Sequence, residues 1–294
     1  MPEGHTIHRA ARRLRSVLAG NRLDRVDARG AQLVEARAAQ RLQGAIVTAV
    51  EARGKHLLIH TDTGWSVRSH LRMDGAWHLY RRGEKWSKSR RRAWLVLGAG
   101  EWEAVNFDGP ILQIQRTDDM LRNPVLTELG PDVLVEPFDD AEYLRRMRRA
   151  AGREIGDAVM DQRTIAGIGN IYKSESLFLT KVDPWVRVRD LSDGELVAIR
   201  EVATRIMQDG VLDARAITYK GPGAPGRWAY GRSGEACRVC GTELLSRKQG
   251  INQRTTTWCL SCQLVGRGER QPDRVLPYPG AAPHDDDYVP RYDD

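Results

Sequence analysis

The stretch Cys237-Arg238-Val239-Cys240, followed after eighteen residues by Cys259-Leu260-Ser261-Cys262, decides how the last part of the chain is built. Two Cys-x2-Cys turns at this separation can set four sulfurs around one point, within the spacing window of tetrahedral zinc sites. All four cysteines of the chain lie in these two turns. Two disulfides are the alternative use of the same residues. A closed four-thiolate site has no open coordination position, so one structural Zn2+ is expected. A hairpin this small cannot bury enough core to fold unaided, and the metal would supply its stability. Arg247, Lys248 and Arg254 stand between the cysteine pairs, where a hairpin tip would project them toward phosphate or simply toward solvent.

The 294 residues carry a formal charge of +7 with a sequence pI near 9.4. From 263 to 294 there are four arginines against seven acids, a balance of −3, so the remainder carries +10. An excess of that kind points to a polyanion such as nucleic acid. No apolar segment follows the amino terminus and no run approaches the ~18 residues of a spanning helix, so a cytoplasmic protein without membrane contact is expected. In that compartment thiols serve metal rather than disulfides.

At the other end the chain begins Met1-Pro2-Glu3-Gly4-His5. Removal of Met1 would leave Pro2 as a secondary amine beside a carboxylate. An α-amino group titrates at ~7.7–8.0 against ~10.4 for lysine, so roughly a quarter of it is neutral and nucleophilic near pH 7.4. An amine attacking a sugar carbon gives an iminium, and a proline iminium has no N–H through which to lose its charge. Glu3 is near enough along the chain to move protons there. A frayed terminus is the plainer reading of the same residues. Against fraying, Ile7, Ala10, Ala11, Leu14, Val17 and Leu18 recur at helical spacing, with arginines 9, 12, 13 and 15 mostly on other faces.

Short alternating runs follow at 22–28, 45–52, 56–61, 66–71, 76–80, 93–97, 103–107 and 111–115, separated by glycine turns. Eight strands at this spacing predict an antiparallel sandwich or barrel. The loop 81–92 holds seven basic residues and one acid, either as a solvated hairpin tip or over a phosphate backbone. Leu129-Gly130-Pro131 opens an aperiodic connector. Beyond it, Asp139 with Glu142 and Ser192 with Glu195 have capping-box spacing, the second opening a helix to about Gly210. Residues 161–175 include Gly167-Ile168-Gly169-Asn170, where backbone amides and an Asn side chain at a helix start can hold a phosphate. Residues 267–294 have the composition of a disordered tail.

Pro2-Glu3-Gly4, Gly54-Lys55-His56-Leu57, His70-Leu71, Leu129-Gly130-Pro131, Asp161-Gln162 with 166–172, and 254–263 resemble, in order and spacing, the formamidopyrimidine-DNA glycosylase/endonuclease VIII family. Gly4 followed by His5 is more similar to the endonuclease VIII side. The resemblance implies an α+β protein with four parts. A helix and antiparallel β-sandwich occupy 1–130, a helix–two-turn–helix domain 131–227, a zinc finger 228–266 and the tail 267–294. It implies Pro2 as nucleophile at C1′ of a damaged nucleotide and Glu3 as proton donor and acceptor. Lys55 would assist β-elimination and bind phosphate, Arg254 would grip a phosphate and assist δ-elimination, and Asn170 would hold another phosphate. Met73 resembles the wedge that fills the gap left by an extruded base. The formamidopyrimidine enzymes place an Arg-Phe pair in a second loop, where this chain has Val105-Asn106-Phe107-Asp108; Phe107 is the residue there able to intercalate.

The expected function is a monomeric, bifunctional DNA glycosylase and abasic-site lyase. Its substrates would be duplexes bearing oxidised bases, with pyrimidines preferred over purines, or abasic sites. A protein of the same build that only recognises damaged or branched DNA is the alternative, as is a zinc-ribbon regulator. Retention of Pro2, Glu3, Lys55 and Arg254 favours the enzyme.

Overall fold

The computed structural model describes residues 2–29, 31–213 and 216–265; the tail expected at 267–294 lies outside them. The chain divides into two compact units at Leu129/Gly130. The first begins with α1 (Gly4–Leu18), which forms because Ile7, Ala11, Leu14 and Leu18 fall on one face, each at most 2 % exposed. The chain then runs through β1 (Arg25–Ala28), α2 (Ala31–Glu35), α3 (Ala38–Leu42), β2 (Val47–Arg53), β3 (His56–Thr61), β4 (Trp65–His70), β5 (Ala76–Arg81), β6 (Ala93–Ala99), β7 (Trp102–Phe107) and β8 (Ile111–Arg116), to the short α4 (Thr117–Leu121) and α5 (Pro124–Thr127).

The eight strands expected from periodicity form two four-stranded antiparallel sheets, in the orders β1-β6-β7-β5 and β2-β3-β4-β8. Val26, Leu95, Leu97 and Ala104 of one sheet and Val50, Leu57, Ile59, Val67 and Leu112 of the other join the apolar face of α1 in one core. The result is a sandwich rather than a barrel. Strand β3 is buried on both faces. Leu57 and Ile59 enter the main core, while Leu58 on the opposite face packs under Met120 and Leu126 of α4 and α5. That second face also carries His56 and His60, and the cover explains how two histidines come to be at most 9 % exposed.

The second unit contains α6 (Asp140–Arg149), α7 (Ile155–Ala158), α8 (Asn170–Leu179), α9 (Asp193–Leu212) and the hairpin of β9 (Leu244–Gln249) with β10 (Arg254–Cys259). Tyr143, Met147, Ile155, Ile168, Tyr172, Leu196, Ile199 and Met207 build its core. Ser192 and Glu195 form both halves of a capping box at α9, with Glu195 N donating to Ser192 Oγ at 3.2 Å and Ser192 N to Glu195 Oε2 at 2.7 Å. At α6 only one half forms. Asp139 accepts from Glu142 N at 2.9 Å, but Arg145 and Arg146, one turn on, hold the Glu142 carboxylate away from the cap.

The box gives a direct test of how α9 begins. Ser192→Ala should lower the stability of this unit by about 1 kcal/mol, read as a lower denaturant midpoint of its helical signal. An unchanged midpoint would show that the apolar face alone fixes the start of α9.

Candidate active site and nucleic-acid interface

Pro2 is half-buried and Glu3 is fully buried. Glu3 is the N-cap of α1 in extended backbone; its carbonyl accepts from Thr6 and Ile7 at 2.9 and 3.3 Å, while its carboxylate does not cap the helix. The first residues are therefore fixed against the domain. Helix α1 lies across β2 and β3, whose connecting hairpin carries Lys55, half-buried. Arg53 pairs with His56, leaving Gly54-Lys55 as a two-residue turn, and Gly54 at φ 57° is the residue that such a turn requires.

Behind that hairpin lies a buried basic group that the sequence reading missed. Arg68 of β4 is 5 % exposed. It donates to His56 Nδ1 at 3.1 Å and, through Nε and Nη2, to Gln113 Oε1 at 3.1 and 2.6 Å. An acceptor Nδ1 requires neutral His56. Burial first, and then the charges of His70, Arg68 and Lys55, hold the imidazole well below its ordinary range. These acceptors are neutral, so neither offsets the guanidinium charge, which burial alone disfavours. A second cluster, Glu51–His60–Ser66, has hydrogen bonds of 2.8 and 2.6 Å and looks like a nucleophile with its base. Ser66 is 0 % exposed and cannot meet a substrate.

Met73 sits in the turn between β4 and β5 and is 39 % exposed. The second loop departs from expectation. Phe107 is fully buried, edge-on to Tyr80 and Trp86 at 6.4 and 5.8 Å between ring centroids, and cannot intercalate. Asp108 at φ 52° is held by Lys88 and Arg92 at 3.1 and 2.6 Å, so its charge is neutralised locally. The two turns touch, since a Cβ on Gly75 would lie 3.1 Å from the Gly109 Cα. A cleft beside them is lined by Thr6, Arg9, Arg13, Gly75, Ala76 and Trp77 among others, one helical turn beyond Glu3. Its charged groups are all hydrogen-bond donors.

In the second unit Gln162 braces the turn ahead of α8. Its side chain accepts from Gly167 N at 3.0 Å and donates to the carbonyls of Met160 and Ile168, both at 2.9 Å. Gly167 at φ 102° is a position for glycine alone. Asn170 thus opens α8, 7 % exposed, and Nδ2 donates to the Thr255 carbonyl at 3.0 Å. The structure therefore brings Asn170 next to Arg254, the neighbouring residue on β10. Arg254 does not project from a tip. It is 7 % exposed at the start of β10, while the tip is residues 250–253, with Ile251 83 % exposed. Arg247 lies over the Trp185 ring at 4.6 Å.

The four cysteine sulfurs lie within 4.8 Å of one another. Those of Cys237 and Cys262 are 3.8 Å apart and those of Cys240 and Cys259 3.5 Å. A disulfide needs about 2.05 Å, whereas metal–sulfur bonds of ~2.3 Å in a tetrahedron set sulfurs about 3.8 Å apart. The residues fit a metal. Hydrogen bonds from Thr242, then the neighbouring sulfurs, draw Cys240 down to about 6, while burial and sulfur crowding push Cys262 up. A cation would relieve that crowding.

Comparison with known proteins gives the family of this fold. Residues 1–108 match the formamidopyrimidine-DNA glycosylase N-terminal domain and residues 129–220 its H2TH domain. A probable endonuclease 8 2 from Streptomyces coelicolor is 38 % identical over 266 residues, covering 90 % of this chain and 94 % of that protein. A DNA-(apurinic or apyrimidinic site) lyase Nei2 from Mycolicibacterium smegmatis is 34 % identical, covering 90 % and 99 %. The chain belongs to the formamidopyrimidine-DNA glycosylase/endonuclease VIII family. In fold it resembles the Lactococcus lactis formamidopyrimidine-DNA glycosylase bound non-covalently to DNA containing an abasic site. That likeness has a TM-score of 0.74 at 22 % identity, over 89 % of this chain and 99 % of that one. Among the described residues no helix is long and apolar enough to cross a membrane.

The buried imidazole has a consequence for stability. His56 binds its proton less readily folded than unfolded, so stability holds above about pH 6.5 and falls as pH drops below it. His56→Gln should flatten the decline between pH 6.5 and 5, measured by thermal unfolding. A slope identical to the parent would mean that other groups take up the protons.

Proposed function

We propose that the protein is a bifunctional DNA glycosylase and abasic-site lyase of base-excision repair. Burial of Glu3 at the N-cap of α1 carries this reading, since it makes the amino-terminal pair a fixed group rather than a frayed end. With Met1 removed, the Pro2 nitrogen attacks C1′ of the damaged nucleotide. Glu3 supplies the proton with which the base departs and the sugar ring opens. The resulting iminium acidifies the C2′–H. Loss of that proton breaks the C3′–O bond, and a second elimination breaks C5′–O; water then releases the sugar fragment from Pro2. Lys55, in the β2–β3 hairpin, binds phosphate and assists the first elimination. Arg254 and Asn170 hold phosphates from the second unit, with Arg254 assisting the second elimination. Met73 fills the space left by the extruded nucleotide.

Oxidised pyrimidines are the proposed substrates. A cleft with only donors among its charged groups suits a base edge rich in carbonyl and hydroxyl oxygens. Cys237, Cys240, Cys259 and Cys262 hold one zinc ion, which serves the fold of the finger and takes no part in bond breaking. Protein purified without added zinc should contain one equivalent, and Cys259→Ser should lose both metal and finger structure. Metal content near zero in a folded, active sample would remove the zinc assignment.

Borohydride with abasic-site DNA tests the nucleophile, because only a lyase is trapped covalently. Trapping is expected for the processed chain and not for a form retaining Met1, whose Pro2 nitrogen is an amide. Glu3→Gln should nearly abolish release of an oxidised pyrimidine and harm cleavage at a ready-made abasic site less. Trapping by the Met1-retaining form would move the nucleophile elsewhere. Tight binding of abasic DNA without trapping would make the protein a recognition module.

A further inference from the structure

We infer that Lys173 is a positioning residue that presets Arg254 against Asn170, so that the two phosphate-binding side chains work as one rigid clamp. The inference rests on the reading above, in which both residues bind phosphate.

Lys173 stands one turn after Asn170 on α8 and is 1 % exposed. Its Nζ donates to Thr256 Oγ1 at 2.7 Å. Thr256 Oγ1 in turn donates to Gln249 Oε1 at 2.7 Å. Gln249 Nε2 donates to Glu154 Oε2 at 3.0 Å and to the Pro184 carbonyl at 2.7 Å. Each hydrogen in this chain has one possible direction. It runs from an ammonium through a hydroxyl and an amide to a carboxylate, so both neutral side chains are fixed in orientation.

Two members of this chain flank Arg254. Gln249 is its cross-strand partner, and Thr256 lies two residues along β10 on the same face. Thr256 and Gln249 are at most 4 % exposed. Asn170 meanwhile holds the backbone one residue from Arg254 through the Thr255 carbonyl, using one of its two amide hydrogens. Helix α8 thus grips β10 twice, by its backbone and by a side chain, from positions three residues apart. The hairpin fits this closely because Gly156 of α7 and Gly250 of the tip have no Cβ. One added at either would clash with Gln249 or Asp157. The cysteine cluster lies at the far end of the hairpin, at Cys259, five residues along β10 from Arg254.

Lys173→Met keeps the length and buries well. On an abasic-site duplex it should raise KM for strand cleavage ~10-fold with little change in kcat, the size expected for losing one hydrogen bond to a charged group. Because Lys173 acts through Arg254, adding Lys173→Met to Arg254→Ala should raise KM no further. Thr256→Val breaks the same link while keeping shape and carries the test if Lys173→Met fails to fold; Thr256→Ser should restore the parent KM. A KM unchanged in Lys173→Met and Thr256→Val, or full additivity with Arg254→Ala, would overturn the inference. Failure of the parent protein to be trapped by borohydride would instead overturn the lyase reading, whatever the variants do.

Discussion

Helix α8 is buried along nearly its whole length, and the second unit is arranged around what that burial demands. Asn170, Lys173, Ser174, Glu175 and Ser176 are all at most 7 % exposed. A buried polar group left without a partner costs about 1–3 kcal/mol, more if charged. The serines turn inward, Ser174 donating to the Asn170 carbonyl at 3.1 Å and Ser176 to that of Lys173 at 3.3 Å. Glu175 takes the backbone N–H groups of Trp228, Ala229 and Tyr230 at 2.7, 2.8 and 2.8 Å, together with the Thr218 hydroxyl. One carboxylate thereby joins residue 218 to residues 228–230, while Asn170 and Lys173 fasten the hairpin. Apolar residues would fill the same volume but would not select which backbone amides approach. The polar helix fixes the register of segments that arrive up to 85 residues later in the sequence, a specificity that dispersion forces do not supply.

The first unit sorts its cations in a similar way. In the loop 81–92, Arg81, Arg82, Lys88 and Arg92 have carboxylate partners in Glu101, Asp24 and Asp108. Lys85, Arg90 and Arg91 are exposed and have no carboxylate among their described contacts. The loop is no loose tip. Trp86 stacks on Tyr80 at 6.1 Å and donates to Glu103 at 3.3 Å, and Arg90 lies over its ring at 4.8 Å. Net charge read from sequence therefore overstates what a polyanion would meet. Roughly half of the basic side chains here hold the loop in place, and pairs this exposed are each worth about 0–1 kcal/mol.

That distinction also separates what the sequence made legible from what it did not. Periodicity found α1 and the eight strands because each buries a face set by local spacing, and the capping box found the start of α9. The glycine turn before Asn170 and the paired cysteines were legible for a related reason, since backbone geometry and thiol chemistry leave few alternatives. Arg254, Phe107 and Lys173 show where this ends. Arg254 was expected at a projecting tip, yet the hairpin has already turned before it, at 250–253, and its cross-strand partner Gln249 is itself buried. Phe107 alternates inward on β7 into an aromatic cluster assembled from β5 and the 81–92 loop. Lys173-Ser174-Glu175-Ser176 has the composition of a solvated helix face, and only the partners brought by residues 218–256 make it a core.

The burial of Phe107 bears on how an extruded nucleotide would be replaced. A wedge must present apolar surface to the gap in the stack, and the second loop exposes no large apolar side chain, only Pro110. Asp108 is turned away onto Lys88 and Arg92, and Asn106 lies beneath Gly109, fully buried. Of the two turns, only that of Met73 exposes a large apolar side chain. The glycine contact between the turns lets the second loop serve as a floor for the first, since any side chain at Gly75 would strike the Leu71 backbone. Under the proposed reading, a single unbranched thioether does the filling. Methionine adapts its three torsions to irregular gaps and makes no hydrogen bond that would read the opposite base. Such a wedge holds the stack open without inspecting what lies across from it. Discrimination among lesions then falls to the cleft beside Thr6, Arg9 and Arg13, where the departing base and not its former partner would be recognised.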